Sequence, residues 1–160
     1  MREIMLAGFY WLHSAATVIW IGGIFFILFI ALPSAKQVLG GEAGKLMGEI
    51  SKKFTPIANY SIFFLIVTGI ALTGLDKQFL GIGNFGNNWI LILTVKHVLV
   101  LGMIIIHFYR GLILAPKIAR TESSTEKTSL QKLSLNLVKV NFYSGLLVLL
   151  LSGVLTNALK

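Results

Sequence analysis

Residues 89–114 read WILILTVKHVLVLGMIIIHFYRGLIL, and this stretch decides the fold class. A helix needs roughly 20 mostly apolar residues to cross a bilayer, so the stretch is long enough to span a membrane. It nevertheless contains Lys96, His97 and His107. Ionisable groups are costly at membrane depth and usually face the interior of a helix bundle, where they mark a functional site. The stretch therefore predicts both a membrane helix and a site on it.

The rest of the chain supplies three more apolar segments, at residues 5–32, 57–75 and 138–159. Lipid offers the backbone no hydrogen bonds, so each of these segments should be helical. Of the 160 residues, 56% are hydrophobic and only 12% are charged, which is typical of an integral membrane protein rather than a soluble domain. We predict an all-α integral membrane four-helix bundle that forms one transmembrane domain over residues 1–160.

Lysine and arginine predict how this bundle is oriented. They are concentrated around the two connections at residues 33–56 and 115–137, whereas the opposite side carries only Arg2, Lys77 and Lys160. The positive-inside rule makes both connections cytoplasmic and places both termini outside, in a multi-pass protein of the cell membrane. Both connections also carry apolar residues at helical spacing, which predicts that they are partly helical.

Two features of the composition exclude classes of function. The net charge of +8 does not indicate a nucleic-acid partner, because the basic residues follow membrane topology. The absence of cysteine excludes disulfides, thiolate metal sites and iron–sulfur clusters. Three histidines remain as candidate ligands, and all of them lie within apolar segments: His13, His97 and His107.

The two halves of the chain resemble each other at an offset of 83 or 84 residues. His13 precedes Pro33 much as His97 precedes Pro116. Paired residues in the second and fourth helices match at the same offset: Tyr60 and Ser61 with Tyr143 and Ser144, Thr68 and Gly69 with Ser152 and Gly153, Leu72 and Thr73 with Leu155 and Thr156. The pattern predicts two helical hairpins related by a pseudo-twofold axis along the membrane normal.

Such an axis would place His13 and His97 at equal depth on equivalent helices, in the outer half of the bundle. Two imidazoles that face each other can supply both axial ligands of a haem iron. We therefore predict that His13 and His97 are the metal ligands of one haem b, in a membrane cytochrome b. Bis-histidine ligation leaves no open position on the iron, which favours electron transfer over oxygen binding. The expected partners are the lipid bilayer and a quinone or redox protein.

Several neighbours of the histidines are further candidates for cofactor binding. Trp20 lies on the same helix face as the first-helix histidine. Gly23 would leave room for a ring, although glycines in membrane helices equally serve close helix packing. Lys96 would meet a haem propionate or extend to the outer interface. Asn59 and Asn141, near the inner ends of their helices, are predicted mainly to hold helices together.

His107 has no equivalent in the first half of the chain, so its role stays open. It would bind a second haem, whose other ligand is a non-histidine residue or comes from the second subunit of a homodimer. Alternatively, it would transfer a proton, contact a quinone, or form a hydrogen bond with a backbone carbonyl. Arg110 lies one turn away from His107 and would bind propionates at the inner face or anionic lipid headgroups.

The run FYWLHSAATVIWIGGIFF at residues 9–26 resembles the first helix of the copper-resistance D (CopD) family and of the HemJ-type protoporphyrinogen oxidases. Residues 45–72 resemble the basic entry to the second helix of these proteins, and Lys96 with His107 resembles a Lys…His pair of the HemJ-type proteins. The resemblance implies a four-helix membrane protein that binds haem b or handles metal. The HemJ-type proteins have a second histidine after the first helix, and this sequence lacks it, since residues 32–35 read LPSA.

Three other functions are compatible with the sequence. One is copper handling or transport, because imidazoles and Met103 can bind copper, although the methionines form no ladder. Another is a haem-dependent protoporphyrinogen oxidase, so whether the protein is an enzyme, such as an oxidoreductase, stays open. The last is a structural membrane subunit whose histidines only pack.

Overall fold

The computed structural model describes residues 1–76 and 88–157 in two compact units, Met1–Phe79 and Leu80–Lys160. Every described residue is helical except Met1, Asp76 and residues 121–123, which confirms the predicted all-α class. Lys77, Lys160 and residues 158–159 of the predicted fourth span lie outside the described residues.

The first unit is a helical hairpin. Its elements are α1 (Arg2–Phe26), a π-helical segment (Ile27–Ala31), α2 (Leu32–Leu39), a single 3₁₀ turn (Gly40–Glu42) and α3 (Ala43–Leu75). The chain reverses at Gly40, whose φ of 50° lies in the left-handed region that glycine adopts without steric cost.

Helices α1 and α3 run antiparallel. The Arg2 guanidinium, at the start of α1, donates to the carbonyl oxygen of Leu75 at the end of α3, at 3.5 Å. Farther along the hairpin, His13 on α1 meets Thr68 on α3. The buried seam contains the small residues Ala16 and Ala58. Small residues let the helix backbones approach closely, which is how helices associate in lipid without a hydrophobic driving force.

The second unit repeats this architecture. Its elements are α4 (Asn88–Tyr109), a π-helical segment (Arg110–Leu114), α5 (Ala115–Arg120), the non-helical residues 121–123 and α6 (Ser124–Asn157). Helices α4 and α6 are also antiparallel, because Met103 pairs with Asn141 while Arg110, seven residues later, pairs with Ser134.

The π-helical segments are the clearest structural mark of the repeat, since they lie at the same 83-residue offset as the sequence matches. The amide of Leu32 donates to the carbonyl of Ile27, and the amide of Ala115 donates to that of Arg110, five residues back in each case. The next residue is Pro33 or Pro116. Proline has no N–H and its ring clashes with the carbonyl four residues back, so the helix widens there.

Three uninterrupted helical stretches are long and apolar enough to cross a membrane among the described residues, rather than the four predicted. They are Arg2–Leu75, Asn88–Arg120 and Ser124–Thr156. The count differs because the connection at residues 33–56 is helical, so the first stretch joins α1 to α3 without a break. That stretch of 74 residues nevertheless folds back on itself at the 3₁₀ turn, as the contact between Arg2 and Leu75 shows.

Large apolar side chains lie exposed on both units, as expected of helices that face lipid. Examples are Ile70, 70% exposed on α3, and Leu112, 73% exposed in the second π-helical segment. Polar atoms lie instead along the seam within each hairpin, where Ser61, Thr68, His107 and Asn141 are buried.

Candidate functional site

His13 lies halfway along α1 and is held by the other helix of its hairpin. Its Nδ1 atom is 2.7 Å from Oγ1 of Thr68, which is fully buried on α3. The Thr68 hydroxyl in turn donates to the carbonyl oxygen of Phe64 at 2.6 Å. The imidazole is therefore fixed by a chain of two hydrogen bonds that ends on the backbone of α3.

This arrangement favours one tautomer of His13. A hydroxyl has one proton, and the Thr68 hydroxyl donates that proton to the carbonyl oxygen of Phe64. The Thr68 oxygen then accepts from Nδ1–H of His13. In the neutral imidazole, the lone pair that can bind a metal is consequently on Nε2.

His13 is partly buried, and its imidazole lies in contact with α3. The Cε1 atom of the imidazole lies 3.7 Å from the position that a Cβ atom would take at Gly69, one residue after Thr68. Trp20 is 2% exposed on the same helix as His13. At Gly23, a Cβ atom would overlap the ring of Phe54. Of the two roles that the sequence offered for Gly23, this contact supports close packing of α1 on α3 rather than room for a cofactor.

His97 lies on α4 in the second unit and is exposed within that unit. Its Nδ1 atom is 2.7 Å from the carbonyl oxygen of Leu93, one turn earlier on the same helix. Because a carbonyl can only accept, Nδ1 carries the proton and the lone pair is again on Nε2. Lys96 is half-buried beside it.

The two histidines thus reach the same tautomer by different routes. The hydroxyl of Ser152 on α6 donates to the carbonyl of Val148 at 2.8 Å, which repeats the Thr68 bond to Phe64 at an offset of 84 residues. His97 nevertheless bonds to its own helix and not to Ser152. Metal-binding histidines usually donate their other ring N–H to an oxygen acceptor, and both residues meet this condition.

His107 is 9% exposed and lies on α4 between Met103 and Arg110, which both bond residues of α6. The rings of His107 and Phe108 pack edge to face, with 5.4 Å between their centroids and 84° between their planes. Arg110, three residues later, donates from Nε to Oγ of Ser134 on α6 at 3.2 Å. His107 and Arg110 therefore belong to one polar region of the second hairpin.

Asn141 is a buried polar residue that the sequence assigned to helix contacts rather than to a site. It is 2% exposed on α6, and its Nδ2 atom donates to the carbonyl oxygen of Met103 on α4 at 3.2 Å. Its Oδ1 atom is buried and has no hydrogen-bond partner within the described part of the chain. A polar residue in an apolar helix was the only sequence signal for this position.

Clusters of three or more histidine, aspartate or glutamate side chains that could hold a metal are absent from the described residues. Met103, 2% exposed on α4, carries a thioether, which is a further donor suited to soft metals.

The sequence model of one protein family, CopD (copper resistance protein D), matches residues 48–155. The chain belongs to the copper resistance protein D family. No curated protein and no solved structure matches it. Membership confirms the predicted resemblance to CopD proteins and, with the apolar helices, identifies a membrane protein with transmembrane helices. The HemJ-type haem assignment stays a prediction. The match includes His97, Met103 and His107, whereas His13 precedes it.

Proposed function

We propose that this CopD-family chain handles copper in the cell membrane, with copper as its cargo. The family membership carries this proposal, because it fits copper more closely than the predicted electron transfer. In this proposal, His13 and His97 bind copper through Nε2. Imidazole nitrogen is an ordinary copper ligand.

The fixed imidazoles support this choice of ligands. An imidazole held through Nδ1 presents Nε2 in one direction, so less conformational freedom is lost when a metal binds. His13 is held by Thr68 at 2.7 Å, and His97 is held by the Leu93 carbonyl at the same distance.

The position of the histidines along their helices supports copper binding within the bilayer. His13 lies 11 residues after Arg2, where α1 begins, and His97 lies nine residues after Asn88, where α4 begins. At about 1.5 Å per residue, both lie roughly 15 Å from those helix ends. We propose that these ends face outward and that the basic connections face the cytoplasm, so that copper enters from the outer face.

The test is metal binding by the purified full-length protein in detergent. Cuprous ion, kept reduced and anaerobic, is titrated against a chromophoric copper(I) chelator, and bound metals are quantified by mass spectrometry. His13→Ala and His97→Ala should each lower the copper affinity. Ser14→Ala and Val98→Ala, at the exposed neighbouring positions, should not. A protein that binds no copper, or that binds it equally after both histidine substitutions, would refute the proposal.

Haem b binding by the same histidines is the second candidate. It is favoured by the fact that each histidine precedes the π-helical segment of its own unit by nearly the same distance. Fixing an imidazole through Nδ1 suits an axial ligand of haem as well as it suits copper. Bound haem b would supply one-electron chemistry, with a quinone or redox protein as partner, or porphyrinogen oxidation. The absorption spectrum decides, because a Soret band lost in His13→Ala and His97→Ala would support haem over copper.

A further inference from the structure

Met103 and His107 form a pair of soft donors inside the second hairpin. They are four residues apart on α4, and they are 2% and 9% exposed. Met103 and Arg110 both bond residues of α6, and His107 lies between them at helical spacing, so this face packs against α6. Residues at this spacing are neighbours on a helix surface, with roughly 5–6 Å between their Cβ atoms. A thioether sulfur and an imidazole nitrogen at that separation can bind one metal ion.

Asn141 brings a third donor to the same level from α6. Its Nδ2 atom must be the group that bonds the Met103 carbonyl, because a carbonyl cannot donate. This fixes Oδ1 as the other end of the amide. Oδ1 is buried, and no other group in the described residues donates to it. A buried acceptor without a donor destabilises the fold, and a bound cation or its hydration water would offset that loss.

We propose that Met103, His107 and Asn141 form a second copper site, selective for Cu⁺ and separate from the histidines named above. The proposal rests on the proposed copper-handling function and extends it with a binding position inside the second hairpin. The sulfur of Met103 and the imidazole of His107 bind the ion, and the amide oxygen of Asn141, a harder donor, meets the ion directly or through its hydration water.

The chemistry of the donors favours Cu⁺ over other cations. Thioether sulfur selects soft ions, whereas Mg²⁺, Ca²⁺ and Mn²⁺ prefer carboxylate and carbonyl oxygen. Residues 88–121 and 127–160 contain no aspartate or glutamate, so the second hairpin offers a hard divalent ion no carboxylate there. The positive charge of Arg110, one turn beyond His107, also disfavours a second charge on the ion.

The Met103 site lies deeper along α4 than His97. Met103 lies six residues after His97 on the same helix, which is about 9 Å along the helix axis. His97 lies nearer the start of α4, and the Met103 site lies nearer its end. His97 is exposed whereas Met103 is buried, so the two positions lie on different faces of α4 and are separate sites.

The experiment uses the full-length protein in which His13→Ala and His97→Ala are combined. Cuprous ion is again titrated against the chelator, and the ligands of bound copper are identified by X-ray absorption spectroscopy. We expect this double variant to retain one copper ion per chain with sulfur among its ligands. Adding Met103→Leu, which nearly conserves volume, should lower that affinity by at least about tenfold and remove the sulfur signal. His107→Gln is the second test of the same site.

Met5→Leu is the matched control, because Met5 is 50% exposed on α1 and lies far from this cluster in sequence. It should leave the titration unchanged. The inference is overturned if the double variant binds no copper, if its copper has no sulfur ligand, or if Met103→Leu and His107→Gln bind as before. If the double variant binds as much copper as the original protein and Met103→Leu removes it, the histidine sites fail while the Met103 site stands. Helical circular dichroism and a single gel-filtration peak verify that each variant folds.

Discussion

The substitution Thr68→Val tests the proposed copper site most sharply, because it leaves His13 itself unchanged. Valine has nearly the shape of threonine, so the packing of the fully buried position on α3 is conserved. The change removes only the hydroxyl that accepts from His13 and donates to the Phe64 carbonyl. The imidazole then loses the contact that fixes its orientation and its tautomer.

Thr68→Val should reduce the copper affinity more than it reduces the stability of the protein. Hydrogen bonds between helices in membranes contribute about 0.6 kcal/mol on average and up to about 1.7 kcal/mol, so the protein should remain folded. Loss of an acceptor behind a metal-binding histidine typically weakens metal affinity by about 10- to 100-fold. That fold-change corresponds to roughly 1.4–2.7 kcal/mol of binding free energy. The loss of copper affinity should therefore exceed the loss of stability.

The assay is the anaerobic competition titration with cuprous ion, accompanied by thermal unfolding in the same detergent. Thr68→Ser restores the hydroxyl and should restore most of the copper affinity. Thr55→Val is the matched control, because the Thr55 hydroxyl donates to the Ser51 carbonyl at 2.8 Å on the same helix. It removes an equivalent bond within the helix without touching a histidine.

One result would refute the role assigned to Thr68. If His13→Ala weakens copper binding while Thr68→Val binds copper as tightly as the original protein, the hydroxyl does not position the ligand. Equal losses in Thr68→Val and Thr55→Val would likewise trace the effect to the helix and not to the imidazole.

Two further predictions concern packing and orientation. Gly23→Ala should lower the unfolding free energy by about 1–3 kcal/mol, because its Cβ would overlap the Phe54 ring; Gly22→Ala has nothing within 4 Å and should unfold like the original protein. The sequence has no cysteine. An impermeant maleimide should therefore label Asp76→Cys in intact cells but Ser123→Cys only after permeabilisation, and the reverse pattern would invert the proposed orientation.

The sequence predicted the helical class and the repeat because both depend on patterns along the chain. Lipid requires helices wherever apolar residues continue for the thickness of a bilayer. The prolines at equivalent places in each half indicated the repeat, but the sequence did not reveal the π-helical segments that precede them. The sequence predicted that the connection at residues 33–56 is partly helical, but not that α2, the 3₁₀ turn and α3 follow one another there without a break.

The ligand environment, in contrast, was decided by tertiary structure. Thr68 lies 55 residues from His13 along the chain, and only the antiparallel pairing of α1 with α3 brings its hydroxyl to the imidazole. The same holds for Asn141 and Met103, 38 residues apart. A linear pattern shows that a polar residue is in a membrane helix. It cannot show which residue on the facing helix lies opposite, because this depends on the register and rotation of the two packed helices.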